Sequence, residues 1–272
     1  MPDERFTGYD VLRLGEQDNE RLDLTSLSFA SASSAPGEVH EELDPTAFLR
    51  VENQGSLPSC VGHAVTTAAE CAAGLASGRW EDVPQLSRRF AWQNGQQKWL
   101  GRTDPRQGCT IAHGVGAAIS DGVCPESVAP YGDRGTSLTG AAYTAAKAFR
   151  LQNQVEIASA ADARRFLEAG FGSIVCGVLW TRRMGQSTGR LTARDVREDG
   201  SRGGHAICLV GFNRSGQFIL ANSWGSSWGE NGIALVDPSA VDYLCGRPYS
   251  VLRGVTDLTG FDRTRPFTSW GM

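Results

Sequence analysis

The pattern of apolar and polar positions divides the chain into a helical first half and a strand-rich second half. After Ser59, a good N-cap residue, apolar residues up to Ala72 recur at alternating spacings of three and one, which predicts a helix with a buried face of small side chains. Further helices are predicted over 86–99 and 111–120. After Asn153 the pattern predicts strands over 155–157, 174–179, 206–212, 217–221 and 233–236, and one short helix over 160–169 capped by Ser159.

Helices followed by strands indicate an α+β fold with two lobes that meet in a cleft, and we expect the chemistry in that cleft. The predicted domain covers 47–255, with a helical lobe over about 55–150 and a sheet lobe over about 151–255. Residues 1–46 show no regular period and are predicted to be an extended lead-in, and 256–272 a C-terminal tail. An arginine-rich polar stretch, 181–203, is predicted to be a surface insertion.

Composition and charge exclude several classes of protein. The net charge of −4 argues against nucleic acid or an anionic membrane surface as a partner. No apolar run approaches the roughly 20 residues that cross a bilayer. The seven cysteines are an odd number without a CxxC pair, so neither a disulfide framework nor a zinc ribbon is indicated, and no metal site is predicted. The acidic start lacks a signal-peptide pattern, so we expect a cytoplasmic protein.

The strongest candidate for chemistry is Cys60, which a Gln/Gly loop starting at Gln54 delivers to the first turn of the predicted small-residue helix. Free N–H groups and the helix dipole at that end favour an anion, so we expect a lowered thiol pKa and a nucleophilic sulfur. Cleavage of an amide through a thiolate also needs donors for the developing oxyanion. The N–H of Cys60 and the side-chain amide of Gln54 are candidates for that role.

A nucleophile needs a base, and the chain has only four histidines. His205 follows Gly203 and Gly204 and opens a predicted strand, so it could face Cys60 from the sheet lobe. Asn222 follows the next strand, and its amide could hold the imidazole in one tautomer while Trp224 shields that bond from water. Together these residues form a Cys/His/Asn set.

The sequence resembles the papain-like cysteine peptidases over about residues 46–255. The resemblance rests on Asn53–Gly55 with Ser59–Cys60, on Gly204–Ala206, and above all on the run 219–232, ILANSWGSSWGENG. It implies a two-lobed fold, with a helical lobe and an antiparallel sheet or barrel around a cleft. Cys60, His205, Asn222 and Gln54 would be nucleophile, base, orienting residue and oxyanion donor, and no cofactor is implied.

The resemblance also implies a set of substrate-binding positions and several departures from the family pattern. The substrate-binding positions are Pro58, Ser59, Gly108, Cys109, Gly203, Gly204, Trp224 and Trp228. Leu57 stands where the family has a cysteine, so the usual disulfide at that loop cannot form, which favours a reducing compartment. Pro58 replaces a glycine beside the expected P1 site and Gly108–Cys109 a glycine pair that substrates pair with, so we expect small P1 residues. The short segment before Cys60 predicts that no long helical propeptide controls the enzyme.

These observations lead to a hypothesis of a cysteine endopeptidase that acts on protein or peptide substrates. Two alternatives remain open: the same triad could serve a transpeptidase, ligase or deamidase, or the chain could be an inactive papain-like module that binds peptides or a partner. A separate inhibitor protein of the immunity type is a candidate partner. A free-standing peptidase and a toxin delivered into another cell by a secretion system remain equal alternatives at this level.

Overall fold

The computed structural model describes residues 27–28, 41–132, 137–197 and 203–261, so most of the predicted lead-in and tail lies outside the described residues. Its eight α-helices in these ranges are α1 (Cys60–Ser77), α2 (Arg88–Leu100), α3 (Ile111–Ser120), α4 (Gly140–Ala146), α5 (Ala160–Glu168), α6 (Arg182–Gly185), α7 (Ala193–Val196) and α8 (Pro238–Cys245). The strands are β1 (Leu27–Ser28), β2 (Leu151–Glu156), β3 (Gly172–Leu179), β4 (Arg190–Leu191), β5 (Gly204–Phe212), β6 (Phe218–Ala221), β7 (Ile233–Val236) and β8 (Val251–Leu258).

Helix α1 is enclosed by the rest of the fold, as its small-residue face predicts. It packs against α2 on one side and against strands β3, β5 and β8 on the other. A Cβ on Gly62 would lie 2.9 Å from the backbone nitrogen of Trp92, so a glycine there allows α1 and α2 to approach closely. The helix ends at Gly78, whose φ of 65° is the left-handed conformation that terminates helices.

The strands described here form one mixed sheet in the order β1-β2-β8-β3-β5-β6-β7-β4. The β1–β2 and β4–β7 pairs are parallel, and the remaining neighbours are antiparallel. In the β3–β5 pair, Val178 lies opposite His205 and Gly177 opposite Ala206. The expected α+β class with an antiparallel core of the sheet is therefore confirmed.

Two apolar clusters lie on opposite faces of the sheet. The cluster between the sheet and the helical lobe includes Val65 and Phe90 from the helices and Val175 and Ala206 from the strands. The cluster on the far face includes Trp180, Phe212 and Trp228. The sheet is thus buried on both sides in its central strands, which explains why β3 reads as a nearly continuous apolar run.

The stretch 181–203 differs from the predicted polar surface insertion. Its described part, up to residue 197, contains α6, β4 and α7, and it buries Met184, Leu191 and Val196 against the far face of the sheet. These apolar residues are isolated among arginines and glycines in the sequence, so no periodic pattern identifies them. Residues 181–197 therefore pack as part of the sheet lobe.

A buried ion cluster joins the helical lobe to the loop that precedes Cys60. The guanidinium of Arg88, almost fully buried, contacts Glu70 on α1 at 2.8 Å and Glu52 at 2.8 Å. Burial raises the pKa of the Glu52 carboxyl, and the positive charge of Arg88 opposes that rise. The cluster therefore fixes the segment just before Gln54 against α1.

Candidate active site

Cys60 is the first residue of α1, and its sulfur meets the sheet lobe. The thiol is partly exposed, whereas Cys71, Cys109, Cys124, Cys176 and Cys208 are buried. The backbone N–H of Ala206, at the start of β5, lies near the Cys60 sulfur and favours its ionised form. Because Ala206 directly follows His205, the candidate nucleophile on the helical lobe lies close to the candidate base on the sheet lobe.

Burial sets the protonation of both groups. It raises the pKa of the Cys60 thiol, although N–H groups of Ala206, Val61 and Cys60 itself oppose the rise. Burial also lowers the pKa of His205 to about 4 against the opposing effect of the Asn222 hydrogen bond. Desolvation thus outweighs the expected lowering of the thiol pKa by the helix terminus.

Asn222 holds the imidazole of His205 in one orientation. The distance from His205 Nε2 to Asn222 Oδ1 is 2.8 Å, and the same oxygen accepts the backbone N–H of Ser223 at 2.8 Å. Since Oδ1 is an acceptor, Nε2 carries the proton and Nδ1 keeps a free lone pair. That tautomer leaves Nδ1 able to act as a base.

Three tryptophans surround the His205–Asn222 pair. Trp180 lies edge-on to the His205 ring at a centroid distance of 4.7 Å, and Trp224 lies at 5.0 Å from it. Trp228 packs on both other indoles and donates its N–H to the carbonyl of Met184 at 3.0 Å. Trp224 was predicted to shield this hydrogen bond, whereas Trp180 was missed because it ends an apolar strand and resembles a core residue.

The Gln54 side chain is held at both ends of its amide. Ser223 donates its hydroxyl to Gln54 Oε1 at 2.7 Å, and Gln54 Nε2 donates to the carbonyl of Leu57 at 2.8 Å. Gly55, with φ of 60°, makes the turn between Gln54 and Leu57. One N–H of Nε2 stays outside these two contacts, in the loop that leads to Cys60.

Ser59 occupies the N-cap position of α1 but makes no side-chain cap hydrogen bond. Its hydroxyl instead lies 2.5 Å from the hydroxyl of Tyr131, which donates to the carbonyl of Gln54 at 2.9 Å. His63 completes this network: its Nδ1 lies 3.1 Å from the Ser59 carbonyl and its ring meets Tyr131 edge-on. The predicted capping by Ser59 is thus replaced by a bond to a distant loop.

The predicted substrate-binding residues fall into two groups. Gly108 and Gly204 are partly exposed. The other six residues are buried: Pro58, Ser59, Cys109, Gly203, Trp224 and Trp228. Cys109 points into the core, with its sulfur 2.9 Å from the position of a Cβ on Gly95, and burial raises its thiol pKa. It is not an exposed thiol at the rim.

The family model for the papain family cysteine proteases matches residues 41–246. The chain belongs to the papain family of cysteine proteases. Among the residues that the structure describes, no group of three or more His, Cys, Asp and Glu side chains is arranged to hold a metal ion. No helix in the described ranges has the length and apolar character needed to cross a bilayer.

Relatives and solved structures agree with this assignment. The chain is 29% identical over 202 residues to an uncharacterized peptidase C1-like protein of Acanthamoeba polyphaga mimivirus, covering 69% of the chain and 64% of that protein. It is 42% identical over 50 residues to Macrodontain-1 of Ananas macrodontes, covering 18% of the chain and 24% of that protein. The chain thus spans less than two thirds of the length of either relative.

Its fold is similar to that of xylellain, a cysteine protease from Xylella fastidiosa, with a TM-score of 0.66, 20% identity and coverage of 89% of the chain and 94% of xylellain. It is also similar to a cysteine protease of Carica candamarcensis in complex with E-64, with a TM-score of 0.59, 16% identity and coverage of 80% and 99%. These likenesses confirm the papain-like fold.

Proposed function

We propose that the chain is a cysteine endopeptidase in which Cys60, His205, Asn222 and Gln54 perform the reaction. The observation that carries the proposal is the position of the Cys60 sulfur near the backbone N–H of Ala206, which directly follows a histidine whose Nε2 lies 2.8 Å from Asn222 Oδ1. Family membership supports a peptidase, and similar cysteine proteases bind the inhibitor E-64.

The resting protonation favours general-base activation of the thiol. His205 is neutral at physiological pH because its pKa lies at about 4, so its free Nδ1 accepts the proton of Cys60 as sulfur attacks the scissile carbonyl. The Cys60 N–H and the unused N–H of Gln54 Nε2 stabilise the resulting oxyanion. The imidazolium then gives its proton to the leaving amine, and water hydrolyses the thioester with His205 again as base.

The surroundings of His205 support its role as a repeatedly protonated base. Trp180 and Trp224 cover the His205–Asn222 hydrogen bond, so water does not compete for it. Each of the two oxyanion donors contributes about 3 kcal/mol to the transition state in enzymes of this kind. We also propose a preference for small P1 residues, because Pro58 stands beside the expected P1 site.

The decisive experiment compares wild-type protein with Cys60→Ala on a proteome-derived peptide mixture. We expect new N-termini with the wild type only, each cleavage adding one water across two fragments. A mass shift of about one unit without cleavage would instead indicate a deamidase, and joined peptides a ligase or transpeptidase. Unchanged peptides together with retained peptide binding would support the inactive-module alternative.

A thiol-labelling experiment provides the matched control. Besides Cys60, only Cys245 among the described cysteines is partly exposed, and burial raises its pKa to about 12. In the proposed mechanism His205 can take up the proton of the Cys60 thiol, so iodoacetamide should alkylate Cys60 in the native wild type and in Cys245→Ala, with little label on Cys245. Equal labelling of both cysteines in the native state would contradict an activated thiol at position 60.

Two further parts of the hypothesis concern the biological setting. We propose protein or peptide substrates, a cytoplasmic location and control by a separate inhibitor protein. Binding of candidate inhibitor proteins to the Cys60→Ala variant, measured by calorimetry, tests the last point. Delivery into another cell stays an alternative that cell fractionation of producing and recipient cells would separate.

A further inference from the structure

The two proposed oxyanion donors come from the two ends of one loop, 54–60. The side-chain amide of Gln54 is at its start, and the backbone N–H of Cys60 is at its end. Within the loop, the Leu57 N–H donates to the Gln54 carbonyl at 3.3 Å, and Gln54 Nε2 donates to the Leu57 carbonyl at 2.8 Å. These bonds fix the turn only as far as Leu57. A contact that joins both ends of the loop would fix the spacing of the donors.

The hydroxyl of Tyr131 makes such a contact. It donates its proton to the Gln54 carbonyl at 2.9 Å and lies 2.5 Å from Ser59 Oγ. A tyrosine hydroxyl has one proton, so Ser59 is the donor in the second bond. Ser59 directly precedes Cys60 as the N-cap residue of α1. One hydroxyl therefore connects the residue that carries the first donor with the residue next to the second.

His63 holds the Ser59 end of this connection. Because a carbonyl only accepts, His63 Nδ1 carries a proton and donates it to the Ser59 carbonyl at 3.1 Å. The His63 ring also meets the ring of Tyr131 edge-on at a centroid distance of 4.8 Å. Ser59 and His63 are buried, so water does not replace these bonds.

Tyr131 is itself anchored in the helical lobe. Its backbone N–H donates to Glu126 Oε1 at 2.5 Å, and the Glu126 N–H donates to the carbonyl of Gln85 at 2.7 Å. Ser223 of the sheet lobe instead contacts the side-chain carbonyl and the backbone N–H of Gln54. The two lobes therefore hold different groups of Gln54, and its backbone carbonyl is the one held by Tyr131.

We propose that Tyr131 is a positioning residue for the oxyanion site, whose hydroxyl sets the spacing of the Gln54 Nε2 and Cys60 N–H donors. This inference rests on the proposed function, because it needs an oxyanion formed when Cys60 attacks a carbonyl. Tyr131 acts through the loop and not on the substrate.

This role separates two reactions of the same sulfur. Attack on a peptide carbonyl places negative charge on the carbonyl oxygen, which both donors stabilise. Alkylation by iodoacetamide forms an S–C bond and breaks the C–I bond, while His205 takes up the thiol proton. The negative charge leaves on iodide, so this reaction does not use the oxyanion donors.

The test measures hydrolysis of a peptide that the wild type cleaves, and alkylation of Cys60 by iodoacetamide followed by mass spectrometry. We expect Tyr131→Phe to lower kcat for hydrolysis by about 10- to 100-fold with KM nearly unchanged, since small displacements of catalytic groups have effects of that order. The alkylation rate should equal that of the wild type. Gln54→Ala should show the same pattern, because it removes one donor outright.

Tyr143→Phe is the matched control, because the Tyr143 hydroxyl also lies in the helical lobe but bonds Asn94. It should behave as wild type in both reactions. Ser59→Ala removes one of the two bonds of the Tyr131 hydroxyl and should show the Tyr131→Phe pattern with a smaller loss. It takes the place of Tyr131→Phe if that variant does not fold.

Two results in the folded variant would overturn the role of Tyr131 and leave the proposed function intact. One is unchanged hydrolysis, and the other is an equal decrease of hydrolysis and alkylation, which would mean that the sulfur or its base is affected instead. Absence of peptide hydrolysis by folded wild type would overturn the proposed function itself, and this inference with it.

Discussion

Ser223, on the sheet lobe, donates its hydroxyl at 2.7 Å to the side-chain carbonyl of Gln54, 169 positions earlier in the chain. The bond decides which end of the Gln54 amide faces the cleft: with Oε1 engaged by Ser223, the donor Nε2 is on the side of Leu57 and Cys60. A second bond, from the backbone N–H of Gln54 to the Ser223 carbonyl at 2.8 Å, fixes the same pair. The proposed oxyanion donor is therefore oriented by the opposite lobe.

Replacing Ser223 by alanine should reduce kcat by about tenfold with little change in KM, because the Gln54 amide loses its orientation while the substrate contacts stay. Gln54→Ala should cost more, about 10²–10³-fold, the usual effect of removing one oxyanion donor. Steady-state kinetics on a peptide substrate measure both.

The double variant makes the prediction specific. Adding Ser223→Ala to Gln54→Ala should produce no further loss, since the serine acts through the glutamine. Ser226→Ala, an exposed serine in the same turn, is the control and should behave as wild type. Additive losses in the double variant would show that Ser223 acts by another route.

The Tyr131 hydroxyl should stabilise both the loop around Ser59 and the loop that contains Tyr131. It lies 2.5 Å from Ser59 Oγ and donates to the Gln54 carbonyl. We expect Tyr131→Phe to lower the free energy of unfolding by about 1–2 kcal/mol in urea titrations, the cost of leaving buried polar groups unpaired. In a cycle with Ser59→Ala the two effects should overlap by at least about 0.5 kcal/mol.

Tyr143→Phe serves as the comparison for that cycle, because the Tyr143 hydroxyl bonds Asn94 instead. Its effect should add to that of Ser59→Ala without overlap. An equally large overlap in this second cycle would mean that the measured coupling reflects a general loosening of the helical lobe.

The pH dependence of kcat/KM should reflect the depressed pKa of His205. The base must be neutral to accept the thiol proton, so activity is retained as the pH falls below 6.5 and is lost only as it approaches about 4. Rates measured from pH 3.5 to 9 with a substrate that does not titrate there test this point. An acid limb centred at the ordinary histidine value, or higher, would contradict burial as the dominant effect.

His63 should make the protein less stable in acid. Burial lowers its pKa to about 3, with Arg88 and His205 acting in the same direction and the Ser59 carbonyl opposing them. Between pH 6.5 and about 3 the unfolded chain therefore binds a proton that the folded chain does not. The free energy of unfolding thus decreases by up to about 1.4 kcal/mol for each unit by which the pH is lowered in this range. Above 6.5 this group contributes no slope.

Urea titrations at pH 7.5, 6 and 5 measure that slope. His63→Leu should reduce it by an amount that grows toward low pH, whatever its effect on stability at pH 7.5. Val65→Ala, which removes buried packing on the same helix but no titratable group, is the control and should retain the wild-type slope. Identical slopes in wild type and His63→Leu would show that His63 already takes up its proton in the folded state.

Local patterns predicted much of the architecture because they depend on neighbouring residues. The strand Ile233–Val236 and the helix start at Ile111 lie where the sequence predicts them. Strand β8 was missed, since Arg253 and Asp257 interrupt its apolar positions. The run 219–232 identified the family because it combines a strand, a turn and the amide of the proposed catalytic residue Asn222 in one short segment.

The parts of the site that were missed depend on contacts between distant positions. Three residues contact the proposed catalytic residues or their network only after the lobes pack: Ser223, Tyr131 and Trp180. Their neighbours in the sequence do not indicate these contacts. The direction of the Cys60 pKa could not be predicted for the same reason. A helix start is visible in a sequence, whereas the desolvation produced by the opposite lobe is not.

Helix α1, packed against α2 on one side and three strands on the other, has a consequence for how the protein loses its chemistry on heating. An element enclosed on so many sides has no route to open by itself, so fluctuations at the periphery leave its first residue where it is. The Cys60 sulfur therefore lies on a helix that we expect to unfold only together with the rest of the molecule. Loss of activity on heating should therefore coincide with global unfolding rather than precede it.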